Sequence, residues 1–186
     1  DFNETGDLFI THCRSAWGGG PTTYVVRNGH YWNQANSNHA PFVSGGSVDW
    51  NPGNTEAFRN YLPSSASYGH GEGGAGKPGS REIYGGHSHV GTMIYLGGNW
   101  PAQYRDQLFT LNLHGHQMNR QTNERSGSGY NTLHSGSDQL YVSDPRFIGV
   151  DLEYGPDGAV YMIDWHDKQH CHTNNVDAWD RTDGRI

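Results

Sequence analysis

The histidines of this chain come in closely spaced pairs. Residues 113–120 read LHGHQMNR, with GGHSHVG before them and KQHCHTN after, so His-x-His occurs three times: His87 and His89, His114 and His116, His170 and His172. On an extended strand alternate side chains share a face, so each pair sets two imidazoles side by side. Such a pair can ligate one Zn²⁺, Cu²⁺ or Ni²⁺ when a third ligand arrives from elsewhere. All six are therefore candidate metal ligands. Read as one strand, QLFTLNLHGHQ places Phe109, Leu111 and Leu113 on a dry face and Thr110, Asn112, His114 and His116 on a polar one. That polar face is either a site or a solvent-facing surface.

A second constellation ends the run AVYMIDWHDKQHCH. Val160, Met162, Asp164 and His166 would share one strand face, and Tyr161, Ile163 and Trp165 the other. Apolar side chains on both faces suit a strand buried between neighbours. Asp164 and His166 mark where it emerges. A carboxylate beside an imidazole holds the ring and raises its basicity for proton abstraction; the same pair could equally cap the loop 167–175.

Other motifs fall away on inspection. Gly71 to Lys77 has phosphate-loop spacing, but Pro78 stands where Ser or Thr must meet Mg²⁺, and it has no N–H to donate. Asn3-Glu4-Thr5 is a formal glycosylation acceptor. Cys13 and Cys171 belong to no Cys-x-x-Cys pair and no haem attachment motif, and read as free thiols or as a disulfide closing a long loop.

The elements that must carry these groups are strands. The clearest are 7–13, 23–29, 92–98, 107–116, 139–144 and 159–166, each a short apolar or alternating run bounded by Gly, Asn, Asp or Ser. A helix is expected at NTEAFRNYL, with Asn54 as its cap, and a turn of helix at the start of PAQYRDQLF. Residues 30–80 form a loop-rich insertion, Asn- and Gly-rich at first and low in complexity over 67–80. Two segments, DFNETGDLFITHC and DLEYGPDGAVYMIDW, share an Asp, a turn containing Gly, and a short strand. Between Gly6 and Gly158 there is room for about three units at the roughly 40–50-residue period of propeller blades. The expected fold is all-β: a single propeller or partial-propeller domain over 1–186, with about three blades.

Composition narrows the function classes. The net charge is −7, and 12 basic residues are scattered without a patch, which argues against nucleic acid and against an anionic membrane surface. No apolar run approaches the roughly 20 residues that span a bilayer. The apolar fraction of 33% rises to roughly 48% when the 27 glycines are added, as in ordinary folded domains.

Together, DFNETGDLFITHC, GGHSHVGTMIYLGGNWPAQYRDQLFTLNLHGHQMNR, GSGY and GVDLEYGPDGAVYMIDWHDKQHCH…AWDRTDGRI resemble the propeller domain of planctomycete-type membrane-bound dehydrogenases, which often carry a haem-binding module. That domain is in turn similar to glucose/sorbosone dehydrogenases. The resemblance covers residues 1–17 and about 81–186. It implies an oxidoreductase acting on a sugar or other alcohol, with pyrroloquinoline quinone and Ca²⁺ as cofactors and an external acceptor such as a cytochrome module. It implies export to the periplasm or cell exterior, with any membrane attachment lying outside this chain. His87, His89, His114, Arg120, Asp164 and His166 are then the candidate catalytic residues, and Asn112 and His116 the candidate cofactor contacts. About three blades fall short of a closed propeller, so further blades or other chains are expected at the open sheet edges. Two other functions stay open: a non-catalytic carbohydrate- or partner-binding propeller using Trp17, Trp32, Trp50 and Trp100, and a Cu- or Zn-binding protein.

Overall fold

A computed structural model describes residues 1–11, 22–25, 27, 89–113, 116–134, 139–169 and 175–186. Among them the chain is all-β, with two single-turn 3-10 segments at Ala102–Tyr104 and Val176–Ala178. The expected helix at 54–62, Cys13, Cys171 and the insertion over 30–80 lie outside the described residues.

The strands are β1 (Leu8–Thr11), β2 (Thr22–Val25), β3 (His89–Ile94), β4 (Gln107–Asn112), β5 (Gln117–Ser126), β6 (Gly129–His134), β7 (Leu140–Tyr141), β8 (Gly149–Tyr154) and β9 (Val160–Asp164). They form three antiparallel sheets. β1 pairs with β2, and β8 with β9. Between these hairpins lies the meander β3-β4-β5-β6, with β7 pairing to the start of β5.

The sheets stack face to face, because the central one is buried on both sides. One face of the meander carries Met93, Phe109, Leu111 and Met118 against Leu152, Val160 and Met162 of the β8–β9 hairpin. The opposite face carries Ile94 and Leu108 against Phe9 of β1, with Tyr24 and Tyr130 ringed around it. Asp7 ties the first two layers: it accepts from Tyr24 (3.0 Å) and Tyr130, and pairs with Arg125 at 3.3 Å. The Tyr130 hydroxyl, ahead of the other donors, holds the Asp7 carboxylate below the usual range.

The two resembling segments share a backbone device. The Asn3 N–H bonds to the Asp7 carbonyl, and the Gly6 N–H to the Asn3 carbonyl; 152 residues on, Gly155 bonds to Ala159 and Gly158 to Gly155 in the same pattern. Phe2 opposite Leu8 corresponds to Tyr154 opposite Val160. Gly6 (φ +83°) and Gly158 (φ +75°) occupy equivalent left-handed positions, which glycine adopts without steric cost. The internal repeat is therefore structural. In the first copy Asn3 is buried, accepting from the Thr5 and Asp7 amides and donating to Tyr130. That leaves the formal glycosylation acceptor enclosed.

One polar layer is also enclosed. Cross-strand pairing puts His89, Thr110, Asn112, Gln117, Asn119 and Gln121 on the same meander face as Ile94 and Leu108, and all six are buried. The polar face of β4 thus packs inward instead of meeting solvent. β4 also stops at Asn112, and the chain turns before β5, so His116 lies in a hairpin and not on the strand expected through 116.

β8 and β9 dock on the meander through close approaches. A Cβ at Gly91 would lie 2.6 Å from Leu152 Cδ2, and its φ of +63° also favours glycine. The buried Tyr95 hydroxyl donates to the Gly158 carbonyl (2.7 Å) and accepts from the Asn99 and Trp100 amides (2.9 and 2.7 Å). Replacing it leaves three backbone groups without that partner inside the protein. Tyr95→Phe is expected to lower unfolding free energy by about 2–4 kcal/mol, read as a shifted urea midpoint at unchanged slope; a loss below about 0.5 kcal/mol would mean that water replaces the hydroxyl without cost.

Candidate functional site

β9 ends at Asp164, and a polar cluster assembles around its carboxylate. Only 4% of this residue is exposed, so its charge must be met by donors within the fold. Oδ1 accepts the amides of Ile148 and His166, each at 2.8 Å. Oδ2 accepts from Arg185 Nε at 2.7 Å and lies 2.5 Å from Arg185 Nη2. The two backbones also pair, with Asp164 and Arg185 exchanging N–H···O bonds of 2.9 Å. Burial alone would push the Asp164 pKa up. The Ile148 amide, Arg185 and the His166 amide outweigh it and hold the carboxylate below its ordinary value.

His166 is where the chain leaves the strand. Its φ of +56° turns the backbone into the left-handed region, so it departs from the alternation of β9. Its Nδ1 faces two carboxylates, 3.4 Å from Asp164 Oδ2 and 3.9 Å from Asp144 Oδ2. Asp144 is held by the Arg146 amide (2.9 Å) and by Arg185 Nη2 (3.2 Å), and that amide first, then Arg185, keep its pKa low. Arg146 spans to Asp180 (2.5 Å) and Asp183 (3.4 Å). The buried Asp167 accepts from the Gln169 and Asp180 amides and from the Trp165 indole. His166 Nδ1 lies near both carboxylates without a hydrogen bond to either.

The histidine pairs divide. His116, also at positive φ (+56°), bonds through Nδ1 to the Phe147 carbonyl, while its own carbonyl accepts the Val142 amide. Segment 142–148 therefore joins His116 to Asp164, because Ile148 follows Phe147. Asn112, whose carbonyl accepts the His116 amide, completes this edge. His89, 2% exposed, lies across from Asn112 in the central sheet, its Nδ1 3.1 Å from the Thr110 hydroxyl. Arg120 lies elsewhere, its guanidinium 5.1 Å above the Tyr104 ring. Trp100 stacks on Tyr95 and meets Tyr104 and Phe109 edge-on, as part of the core. His87, His114, His170 and His172, with Trp17, Trp32 and Trp50, lie outside the described residues. Among the described residues no three His, Cys, Asp or Glu side chains gather as metal donors. The carboxylates around His166 are instead engaged by amides and arginines.

Asp144, Arg146, Asp180 and Arg185 were not expected from sequence. A signal for the first was present: LYVSD and VYMID share an apolar–Tyr–apolar pattern that ends in Asp.

Asp144, Asp164, Asp167 and Asp180 are held below the ordinary carboxylate value, Asp180 at about 2 through the Thr182 hydroxyl first. Groups with depressed folded pKa values bind fewer protons than the unfolded chain. Their stabilisation is complete above the unfolded value of about 4 and lost as pH falls through the folded values toward about 2. Urea unfolding is expected to show stability declining over that window, with part of the decline removed in Asp164→Asn; a profile indifferent to that substitution would contradict the assignment.

A protein-family model described as Domain of unknown function (DUF7133) matches residues 1–184. No curated protein and no solved structure matches the chain. Since the match takes in both hairpins, the meander and nearly all of the Asp164–His166 cluster, the chain belongs to the DUF7133 family.

Proposed function

We propose that the chain is a dehydrogenase-like β-propeller unit in which His166 takes the proton of a sugar or other alcohol hydroxyl. The observation that carries this reading is the approach of His166 Nδ1 to Asp164 and Asp144 at the end of β9. Carboxylates beside one ring nitrogen can orient an imidazole so that its other nitrogen meets the substrate hydroxyl. Arg185, bridging both carboxylates, fixes their positions and offsets their charge.

The chain's own residues account for the proton. The two electrons leave as hydride for an acceptor outside the described residues, for which the resemblance implies pyrroloquinoline quinone with Ca²⁺ and then a cytochrome module. The described cluster has no oxygen cradle for Ca²⁺, since its carboxylates already accept amide and guanidinium donors. No step is therefore assigned to a metal. The stacked layers and the repeated hairpin support the propeller architecture, whose sites gather where strand ends meet.

The test is dye-linked oxidation of a panel of sugars and alcohols, with and without added quinone and Ca²⁺. Turnover of at least one substrate is expected, and His166→Gln should lower kcat about 100-fold or more at unchanged fold. Silence across the panel, or full activity in His166→Gln, would refute the reading.

A further inference from the structure

The outer face of the β8–β9 hairpin is bare and apolar. Tyr161, Ile163 and Trp165 alternate along β9 with 50%, 45% and 45% of their surface exposed, and Asp151 and Glu153 flank them on β8. The sequence pattern had suggested cover on both faces; the structure covers only one. A contiguous exposed stripe of this kind marks an interaction surface.

The internal repeat says what covers it. The 152-residue offset makes Leu8, Phe9, Ile10 and Thr11 equivalent to Val160, Tyr161, Met162 and Ile163. Phe9, the counterpart of exposed Tyr161, is fully buried against Ile94 and Leu108 of the next sheet. Thr11, the counterpart of Ile163, bonds to Gly91 and Thr92 of that sheet. Conversely Met162 packs against the preceding sheet, while its counterpart Ile10 is 42% exposed.

Every layer thus has a forward face, carrying Phe9 or Tyr161, and a backward face, carrying Ile10 or Met162. Both internal junctions join forward to backward. The two bare faces are a forward one at β9 and a backward one at β1, so they are complementary in polarity. Charge agrees: Asp151 and Glu153 border the first, and exposed Arg27 follows Val25 at the end of β2.

We infer that the forward face of β8–β9 stacks on the backward face of the β1–β2 hairpin of a second copy of the chain. The contact is head to tail and continues the polarity of the two internal junctions. Made twice, it closes a ring. The three sheets among the described residues of each copy then contribute six layers, inside the range of about four to eight blades of closed propellers. This assembly needs no activity and stands independently of the role given to His166.

The test uses the intact chain in sedimentation velocity over a concentration series, with hydroxyl-radical footprinting. A dimer is expected, with Tyr161 and Trp165 protected in it and oxidised on dilution. Trp165→Glu and Ile10→Glu, both at exposed positions, should each weaken self-association at least about tenfold while keeping the far-UV circular dichroism of the parent. Mixing the two variants should restore heterodimer, because one intact junction remains between them. A monomer at every concentration overturns the inference, including one whose Trp165 instead responds to saccharide. So does a dimer that survives Ile10→Glu, since that reports forward face on forward face. If either variant misfolds, protection of Tyr161 and Trp165 in the parent dimer still decides the matter.

Discussion

A buried carboxylate cannot stay charged without donors, and at Asp164 that requirement organises the C-terminal third of the described chain. Its four donor contacts come from three separate places: the Ile148 amide before β8, the His166 amide after β9, and the Arg185 guanidinium near the end. Each partner is thereby fixed in position, and each brings others. Ile148 carries Phe147 and so His116; Arg185 reaches Asp144, which faces His166. Removing a donor from a carboxylate this buried leaves part of its charge unmet, commonly a loss of about 1–3 kcal/mol. The site is therefore a consequence of one satisfied charge and not of a pocket lined by independent groups.

The same economy holds in the loops. Asp144, Asp157, Asp164, Asp167 and Asp180 each accept the amide two residues on, as do Asn3 and Asn175. These Asx turns supply hydrogen bonds that short strands separated by turns cannot make among themselves. Much of the negative charge of these aspartates is therefore held by backbone amides, beside the arginines that pair with some of them.

Much of the fold was legible. Alternation and turn residues located β1, β2, β3, β4, β7 and β9, if with strands too long at their ends, and two imperfect copies of a segment pointed to a repeat that the hydrogen bonds bear out. β5, reading QMNRQTNERS, was not legible, because its stability comes from neighbours on both sides and from buried polar side chains, not from an apolar face. Its best sequence mark is the two-residue turn Gly127–Ser128, with Gly127 at φ +58° joining it to β6. At the site, Asp164 and His166 were readable as neighbours on one strand end. Arg185 and Asp144 were not, since the approaches of Arg185 to Asp164 and of Asp144 to His166, across 21 and 22 positions, depend on how the chain returns. Alternation gives the polar face of β4 its composition but leaves open whether it meets solvent, because alternation assigns faces and does not say what lies over them; the structure buries it.

Three non-glycine residues of the described chain sit at positive φ, and two of them are the imidazoles His116 and His166. A left-handed backbone costs an ordinary side chain about 1–2 kcal/mol relative to the common regions, and glycine almost nothing. A turn whose only task was to end a strand would gain stability from Gly, as the equivalent hairpin positions Gly6 and Gly158 do. At 116 and 166 the chain instead keeps a ring, with Nδ1 bonded to a carbonyl in the first case and lying 3.4 Å from the nearest carboxylate oxygen in the second. The strain turns each histidine out of the strand alternation and back over the strand end. Strained backbone persists where the surrounding structure over-determines it, and at His166 that surrounding structure is the Asp164 cluster at the end of β9.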